Sequence, residues 1–278
     1  MRGAAMDAIG GSGTTPGKER PGHERPGHER PGQIMPLGEL VRLSGVHKVY
    51  GRGLAGVHAL NDINMHVGRG ELVAICGPSG HGKTCLLNLI SLIETVSEGS
   101  VVIDSLLTST LSGQARADLR GELIGHVFQA FSLVPALSAL DNVLLPLTLR
   151  GRIKGTALAE ARALAGELLA RVGLKTQTHH FPDRLDASQR QRVTIARALV
   201  AAPQLVVADE ATSRLDNGSI RLVMDLFAAQ QREHGTTFVI STRDQRQVSR
   251  ANRTLQLNEG RLCGAAADTA RRTLRAQG

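Results

Sequence analysis

The sequence predicts an α/β fold: a mostly parallel sheet flanked by helices, with an N-terminal antiparallel β layer and a small all-helical subdomain. Three observations lead there. Short apolar runs, Leu72–Cys76 and Leu205–Ala208, read as buried strands and alternate with segments of helical period, the pattern of a parallel sheet. Ahead of them, Leu40–Val49 and Val57–Val67 read as two short strands separated by the Gly-rich bend Gly51-Arg52-Gly53, an antiparallel layer. From Leu133 to Leu185 the apolar spacing turns helical.

Residues 1–36 carry KERPG, HERPG and HERPG in tandem. Proline at every fifth position, with charges of both signs between, leaves nothing to pack and predicts a solvated, disordered tail. Its histidines, His23 and His28, are too sparse to read as a metal site. The folded domain is expected over 37–264, and 265–278 reads as a C-terminal tail. After the strand at Leu72 come a helix to about Ile93, a strand Gly99–Ile103, a helical Ala115–Leu123 and a strand Ile124–Gln129. The helical subdomain, 133–187, is most regular over Thr156–Val172, where Thr156 can cap the helix and Gly173 can stop it. The alternation then resumes: a helix Ser188–Val200, the strand at Leu205, a helix Ile220–His234, a strand Thr236–Ile240, and closing strands around Thr254–Leu262.

At 278 residues, 41% of them hydrophobic, the chain can bury one substantial core and a small appendage. No window approaches the roughly 18 uncharged apolar residues that a membrane span needs. A net charge of +8 and a pI near 10.2 raise nucleic-acid binding. The basic residues are spread along the chain, however, with no clustered stripe and no interleaved aromatics for bases to stack on. A solvated Arg-rich surface is the better reading, no nucleic-acid partner is expected, and attraction to an anionic membrane surface stays open. Cys76, Cys85 and Cys263 form no C-x-x-C pair, which favours a reducing, cytosolic compartment, and the Gly-rich N-terminus lacks the apolar core of a secretory signal.

The stretch that organises the chain is Gly77-Pro78-Ser79-Gly80-His81-Gly82-Lys83-Thr84, which fits the phosphate-binding pattern G-x-x-x-x-G-K-[ST] between a buried strand and a helix that opens at Cys85. Small residues let backbone N–H groups fold around a phosphate chain, and the helix N-terminus adds partial positive charge. Lys83 is placed to reach the β- and γ-phosphates, and the Thr84 hydroxyl to ligate Mg²⁺. The second element is Leu205–Glu210, an apolar strand that delivers two carboxylates at its C-terminal edge, where open α/β sheets bind ligands. Asp209 suits the Mg²⁺ shell and Glu210 the general base that polarises water. Together these give a P-loop nucleoside-triphosphatase core using ATP and Mg²⁺. Tyr50 closes the first strand, where it either stacks on an adenine or is a half-buried core residue.

From about Leu37 to Leu262 the chain resembles the ATP-binding subunit of an ABC transporter, above all the branch of lipoprotein-release and macrolide-export ATPases. The residues that carry the resemblance are Tyr50, the phosphate loop, Val127–Leu147, Leu185–Leu199, Leu205–Asp216 and Ile240–Asp244. The resemblance implies that Tyr50 stacks on adenine, and that the run from Gly77 through Cys85 contacts the nucleotide. It implies that Gln129 senses the γ-phosphate and Mg²⁺, that the segment after it faces a membrane permease, and that Asp216 communicates across a dimer with a second ATP-binding subunit, identical or not. It places the protein on the cytoplasmic face of the inner membrane.

Two departures stand out. Where the family has Leu-Ser-Gly-Gly-Gln, this chain has Leu185-Asp186-Ala187-Ser188-Gln189, so a carboxylate replaces the hydroxyl that the resemblance aims at the opposite subunit's γ-phosphate. Asp186, Ser188 and Gln189 remain the candidate contacts, and Asp186 is also a good helix N-cap. Arg243 stands where the family has its switch histidine; arginine reaches phosphate but is always protonated. Ala211, Ser213 and Arg214 are lesser changes. The expected function is an ATP-hydrolysing subunit that powers a separate permease. The alternative is a degenerate ATP-binding subunit that supports a competent paralogue.

Overall fold

A computed structural model describes residues 38–51, 56–151 and 155–263; the tails expected over 1–36 and 265–278, and most of the bend after Gly51, lie outside these residues. Strands β1 (Glu39–Tyr50) and β2 (Val57–Gly68) pair antiparallel, with Leu43 opposite Met65. β3 (Leu72–Cys76) leads through the phosphate loop into helix α1 (Lys83–Ile90). The next strand, β4 (Glu98–Ile103), crosses back to β1 with Leu43 opposite Val101, and β5 (Leu106–Leu107) pairs with it. The antiparallel sheet therefore has the order β2-β1-β4-β5.

The second sheet is built from β3, β6 (Ile124–Val127), β7 (Leu205–Asp209), β8 (Thr237–Thr242), β9 (Arg253–Asn258) and β10 (Arg261–Cys263). Its order is β10-β9-β3-β8-β7-β6, parallel throughout except for the β9–β10 hairpin. β3, β7 and β8 are buried at every residue, as strands covered on both faces must be. Their alternate side chains split between two cores. Val73, Ile75, Val207 and Val239 face the antiparallel layer and α1, with Leu43, Leu60, Leu86 and Ile90. Leu72, Ala74, Val206, Ala208, Phe238 and Ile240 face the opposite way.

That second face is covered by α5 (Ala187–Leu199) and α6 (Asn217–His234), with α2 (Gly113–Leu123) beside β6 and the short α7 (Gln245–Val248) after β8. The helices of the insert, α3 (Ala139–Arg150) and α4 (Thr156–Arg171), pack on α5, and their Leu140, Val143, Ala165 and Leu168 join the same apolar cluster. Their caps differ from the expectation in one place. Gly155, not Thr156, occupies the N-cap position of α4, at φ 59°, with no side-chain cap bond; Thr156 is already helical. Gly173 does end the helix, in the left-handed region at φ 74°. β6 stops at Val127, two residues before the expected Gln129, and α5 begins one residue early because Asp186 caps it.

β6 presses so closely on α5 that a Cβ at Gly125 would run into the Ala198 carbonyl oxygen and lie 3.1 Å from Pro203. Gly125→Ala should cost about 1–3 kcal/mol through overpacking, lowering the urea midpoint without changing the slope. An unchanged midpoint would mean that strand and helix are not in contact in solution.

Candidate functional site

The C-terminal ends of β3, β8 and β7 lie side by side, and each releases part of the site. From β3 comes the phosphate loop, which turns through left-handed Gly80 and Gly82. A Cβ at Gly82 would come within 2.5 Å of the Ala59 carbonyl oxygen, so only glycine lets the loop close against β2. His81 pins the loop from the other side: its Nδ1 accepts the Glu259 N–H at 3.0 Å, and its carbonyl accepts the Gly260 N–H at 3.2 Å. Lys83 donates to the carbonyls of Gly77 and Pro78, both at 2.8 Å. Its ammonium is thus curled across the loop with its charge uncancelled by either contact, ready for an anion.

From β7 come the two carboxylates, and they have separate environments. Asp209 is buried and accepts from Thr84 Oγ1 and Ser241 Oγ, each at 2.6 Å. A threonine hydroxyl beside a carboxylate is the hard oxygen pair a Mg²⁺ ion requires, so the donor set fits that ion. Glu210 follows with φ 44°, a left-handed conformation that costs a non-glycine residue about 1–2 kcal/mol. Three bonds hold the turn: the Glu210 N–H donates to Ser241 Oγ at 2.9 Å, and its carbonyl accepts from the Ser213 N–H at 3.0 Å and hydroxyl at 2.9 Å. Backbone strain of this kind collects at functional sites.

From β8 comes Arg243, between the other two. Its Nη2 meets Glu210 Oε2 at 2.9 Å, and its Nη1 donates to Ser79 Oγ of the phosphate loop at 3.1 Å. One guanidinium therefore spans the loop and the candidate base.

Tyr50 is 42% exposed, a half-buried ring rather than one sealed in the core. Its hydroxyl donates to Glu94 and reaches Cys85 Sγ, on the first turn of α1, at 3.5 Å. Lys48 lies 5.0 Å from the ring centroid and 3.2 Å from Glu94. Burial, then the bonds to Cys85 and Glu94, raise the phenol well above its ordinary pKa. The ring is fixed at the end of the phosphate loop with much of its surface open.

Other candidates stand apart. Gln129 is exposed on the segment leaving β6 and makes no hydrogen bond to Thr84 or Asp209 among the described residues. Asp186, Ser188 and Gln189 sit at the start of α5. Asp186 forms a full capping box: its carboxylate accepts from the Gln189 N–H at 2.7 Å, and its own N–H donates to Gln189 Oε1 at 3.0 Å. The Ser188 hydroxyl is buried without a partner among the described residues. Asp216 caps α6, and the Ser219 N–H and hydroxyl, both at 2.9 Å, hold its carboxyl below its ordinary pKa. Sequence reasoning missed Ser241, which joins the Asp209 carboxylate to the Glu210 backbone, and the Glu94–Lys48 pair that fixes Tyr50. A serine near the end of a buried strand, two residues before Arg243, is the only signal for the first; none marks the second.

Similarity to known proteins agrees with this geometry. The family profile described as ABC transporter matches residues 60–213, more than half of the chain. The lipoprotein-releasing system ATP-binding protein LolD of Bordetella pertussis is 41% identical over 225 residues, 81% of this chain and 96% of that protein. An uncharacterized ABC transporter ATP-binding protein of Methanocaldococcus jannaschii, MJ1508, is 38% identical over 223 residues, 80% of this chain and 97% of its own length. Among solved structures, the dimeric post-hydrolysis state of the ATP-binding cassette MJ0796 bound to ADP and Pi superposes with a TM-score of 0.76 at 37% identity, covering 80% of this chain and 96% of that one. With the phosphate loop, the Thr84–Asp209 pair and the left-handed Glu210 gathered at one sheet edge, the chain belongs to the ABC transporter family of ATP-binding subunits.

Proposed function

We propose that this chain is the ATP-hydrolysing subunit of a membrane transporter of the lipoprotein-release type, acting on the cytoplasmic face of the inner membrane beneath a separate permease. The observation that carries the hydrolytic part is the linked set Thr84–Asp209–Ser241–Glu210, which joins an ion-binding oxygen pair to the backbone of a second acid whose carboxylate is bridged to the phosphate loop by Arg243. Bound Mg²⁺ would supply charge neutralisation of the phosphates. The chain's own part is to hold the phosphates with Lys83 and the loop amides, to present Thr84 and Asp209 to the ion, to stack Tyr50 on the adenine, and to accept the water proton on Glu210. Gln129, on the connection between β6 and the helical subdomain, carries the γ-phosphate and Mg²⁺ signal to that subdomain.

Among the described residues no helix is long and apolar enough to cross a membrane, so transport needs a partner that does. The permease is assigned to a groove of about 770 Å³ walled by α2, β6, α3 and α5, where Ile93, Phe128, Leu145 and Leu149 present apolar surface and Leu149 is 77% exposed. Burial holds His126 in its wall down at a pKa of about 4, so the imidazole is uncharged at neutral pH. Two such subunits close on ATP, each offering Asp186, Ser188 and Gln189 to the other's nucleotide, and reopen after hydrolysis. Co-purification with the permease, followed by ATPase assay with and without it, tests the whole reading: the partner should bind and stimulate turnover.

Lys83→Ala should abolish tight nucleotide binding, since no other loop side chain carries a permanent cation; titration of the purified variant with ATP checks this, and unchanged affinity removes the site. Glu210→Gln should keep ATP affinity and lower turnover at least 100-fold, roughly the contribution of a positioned base. A variant that turns over like the parent shows that Glu210 is not the base.

The signature loop gives a third expectation. Two like charges about 4 Å apart repel by roughly 1–4 kcal/mol, so Asp186→Ser with Ala187→Gly and Ser188→Gly should strengthen ATP-dependent dimerisation about five-fold to several-hundred-fold. Serine keeps the helix cap, and Asp186→Ser alone, without the two glycines that weaken the first turn of α5, separates charge from folding. Sedimentation with ATP and Mg²⁺ in the Glu210→Gln background measures it; an unaltered dimer fraction means that Asp186 serves only α5.

A further inference from the structure

The half-buried ring of Phe131 lies where three segments of the chain meet. Phe131 follows Gln129 by two residues, on the connection between β6 and the helical subdomain. The guanidinium of Arg190, on α5, stands 5.1 Å from the ring centroid, and that of Arg214, after β7, stands 4.7 Å from it, both within the range of cation–π attraction. Arg197, further along α5, grips the backbone of the same connection: its Nη1 donates to the Ser132 carbonyl at 2.8 Å and its Nη2 to that of Phe131 at 3.4 Å. Ser132 is left-handed at φ 47°, a conformation that a non-glycine residue keeps only where its surroundings hold it. The connection is thus fixed to α5 through its backbone, and its ring is what the turn leaving β7 can reach. Arg214 makes that link. It follows Ser213, whose N–H and hydroxyl both bond the Glu210 carbonyl, so Glu210 is joined to Phe131 through a short turn and one side chain. Arg214 is exposed, and among the described residues no carboxylate pairs with it, so no acid competes with the ring for its charge. Ser213 and Arg214 are also positions at which this chain leaves its family's pattern, so the link is its own.

We propose that Arg214 is a positioning residue for hydrolysis: by holding the Phe131 ring it fastens the Gln129 segment to the turn that carries Glu210, so that the two respond together when the phosphate loop is filled. Arg214 acts through Phe131 and not on the nucleotide. The contact depends on both a cation and a ring face. Lysine at 214 keeps the charge but loses the planar guanidinium that stacks, and leucine at 131 keeps apolar bulk but loses the ring. The proposal rests on the assignment of Glu210 as base and of Gly77–Thr84 as the phosphate cradle.

The chain has no tryptophan, so Phe131→Trp places a single indole at the junction while keeping an aromatic face for the guanidinium groups. In full-length protein, with the melting temperature of each variant checked against the parent, a β,γ-imido analogue of ATP with Mg²⁺ should shift the indole emission. Adding Arg214→Gln should abolish that shift while affinity for the analogue, read separately by calorimetry, stays within about two-fold. In the ATPase assay with the permease, Arg214→Gln and Phe131→Leu should each lower kcat about two- to five-fold, the size of one exposed cation–π contact, with KM for ATP held within about two-fold. The double variant should fall no further than either single one, and Arg214→Lys should recover part of the loss. A shift that survives Arg214→Gln, or an indole that ignores the bound analogue, leaves turn and segment unlinked and overturns the proposal. So do losses in kcat that simply multiply in the double variant, since the two side chains would then act apart. The underlying assignments fail separately: an analogue that does not bind the parent removes the phosphate cradle, and unaltered turnover in Glu210→Gln removes the base. A silent indole in protein that binds the analogue removes only the role of Arg214.

Discussion

Strand β8 lies between β3 and β7, and all three run parallel in continuous register: Ala74 beside Ile240, and Ala208 beside Ile240 on the other edge. That single arrangement brings together residues from three distant parts of the chain. Parallel strands leave the sheet in one direction, so the loop after β3, the carboxylates after β7 and Arg243 after β8 all emerge at one edge, a strand spacing of about 4.8 Å apart. Ser241, on the middle strand, reaches the end of β7 through its hydroxyl at two points. It donates to Asp209 while accepting from the Glu210 backbone. Had β8 been placed at an edge of the sheet, Arg243 could not reach Ser79 and Glu210 with one side chain.

The same sheet is held rigid enough to keep Glu210 in a left-handed turn. Burial on both faces, with Val207 and Val239 against one core and Val206 and Phe238 against the other, leaves the ends of β7 no freedom to relax. Removal of a buried side chain of this size costs about 2–5 kcal/mol, more than the strain stored at Glu210. Packing thus sustains the local cost, and the turn it sustains sets the carboxylate beside Arg243. On the β3 side the equivalent constraint is contact with β2 and the β9–β10 turn, through Gly82 and His81.

The helix that follows the signature loop shows how a departure from a family pattern can be kept by folding alone. Asp186 with Gln189 closes both bonds of a capping box, worth about 1 kcal/mol or more to α5. α5 in turn carries Val193, Ile195 and Ala196 into the main cluster and supports α3 and α4. A carboxylate at this position therefore stabilises the subdomain by the same bonds that a hydroxyl would make, while its charge changes what the loop offers to a second subunit.

The α/β alternation, the antiparallel start, the helical insert and the phosphate loop followed by two acids are written in apolar period and in the spacing of glycine, lysine and carboxylates, because those patterns act over a few residues. The chain by itself determined Lys83, Thr84, Asp209 and Glu210 as the residues of interest, and it showed that Asp186 and Arg243 break a pattern. It did not determine what those two touch. That β4 joins the antiparallel layer, that Tyr50 is fixed by Glu94 and Lys48, that Ser241 links Asp209 to the Glu210 backbone, and that Arg243 bridges Ser79 to Glu210 were decided by the order of strands in two sheets. Strand order is a property of long-range pairing: residues 79, 210 and 243 meet only after β8 has inserted between β3 and β7, and no local pattern encodes that insertion.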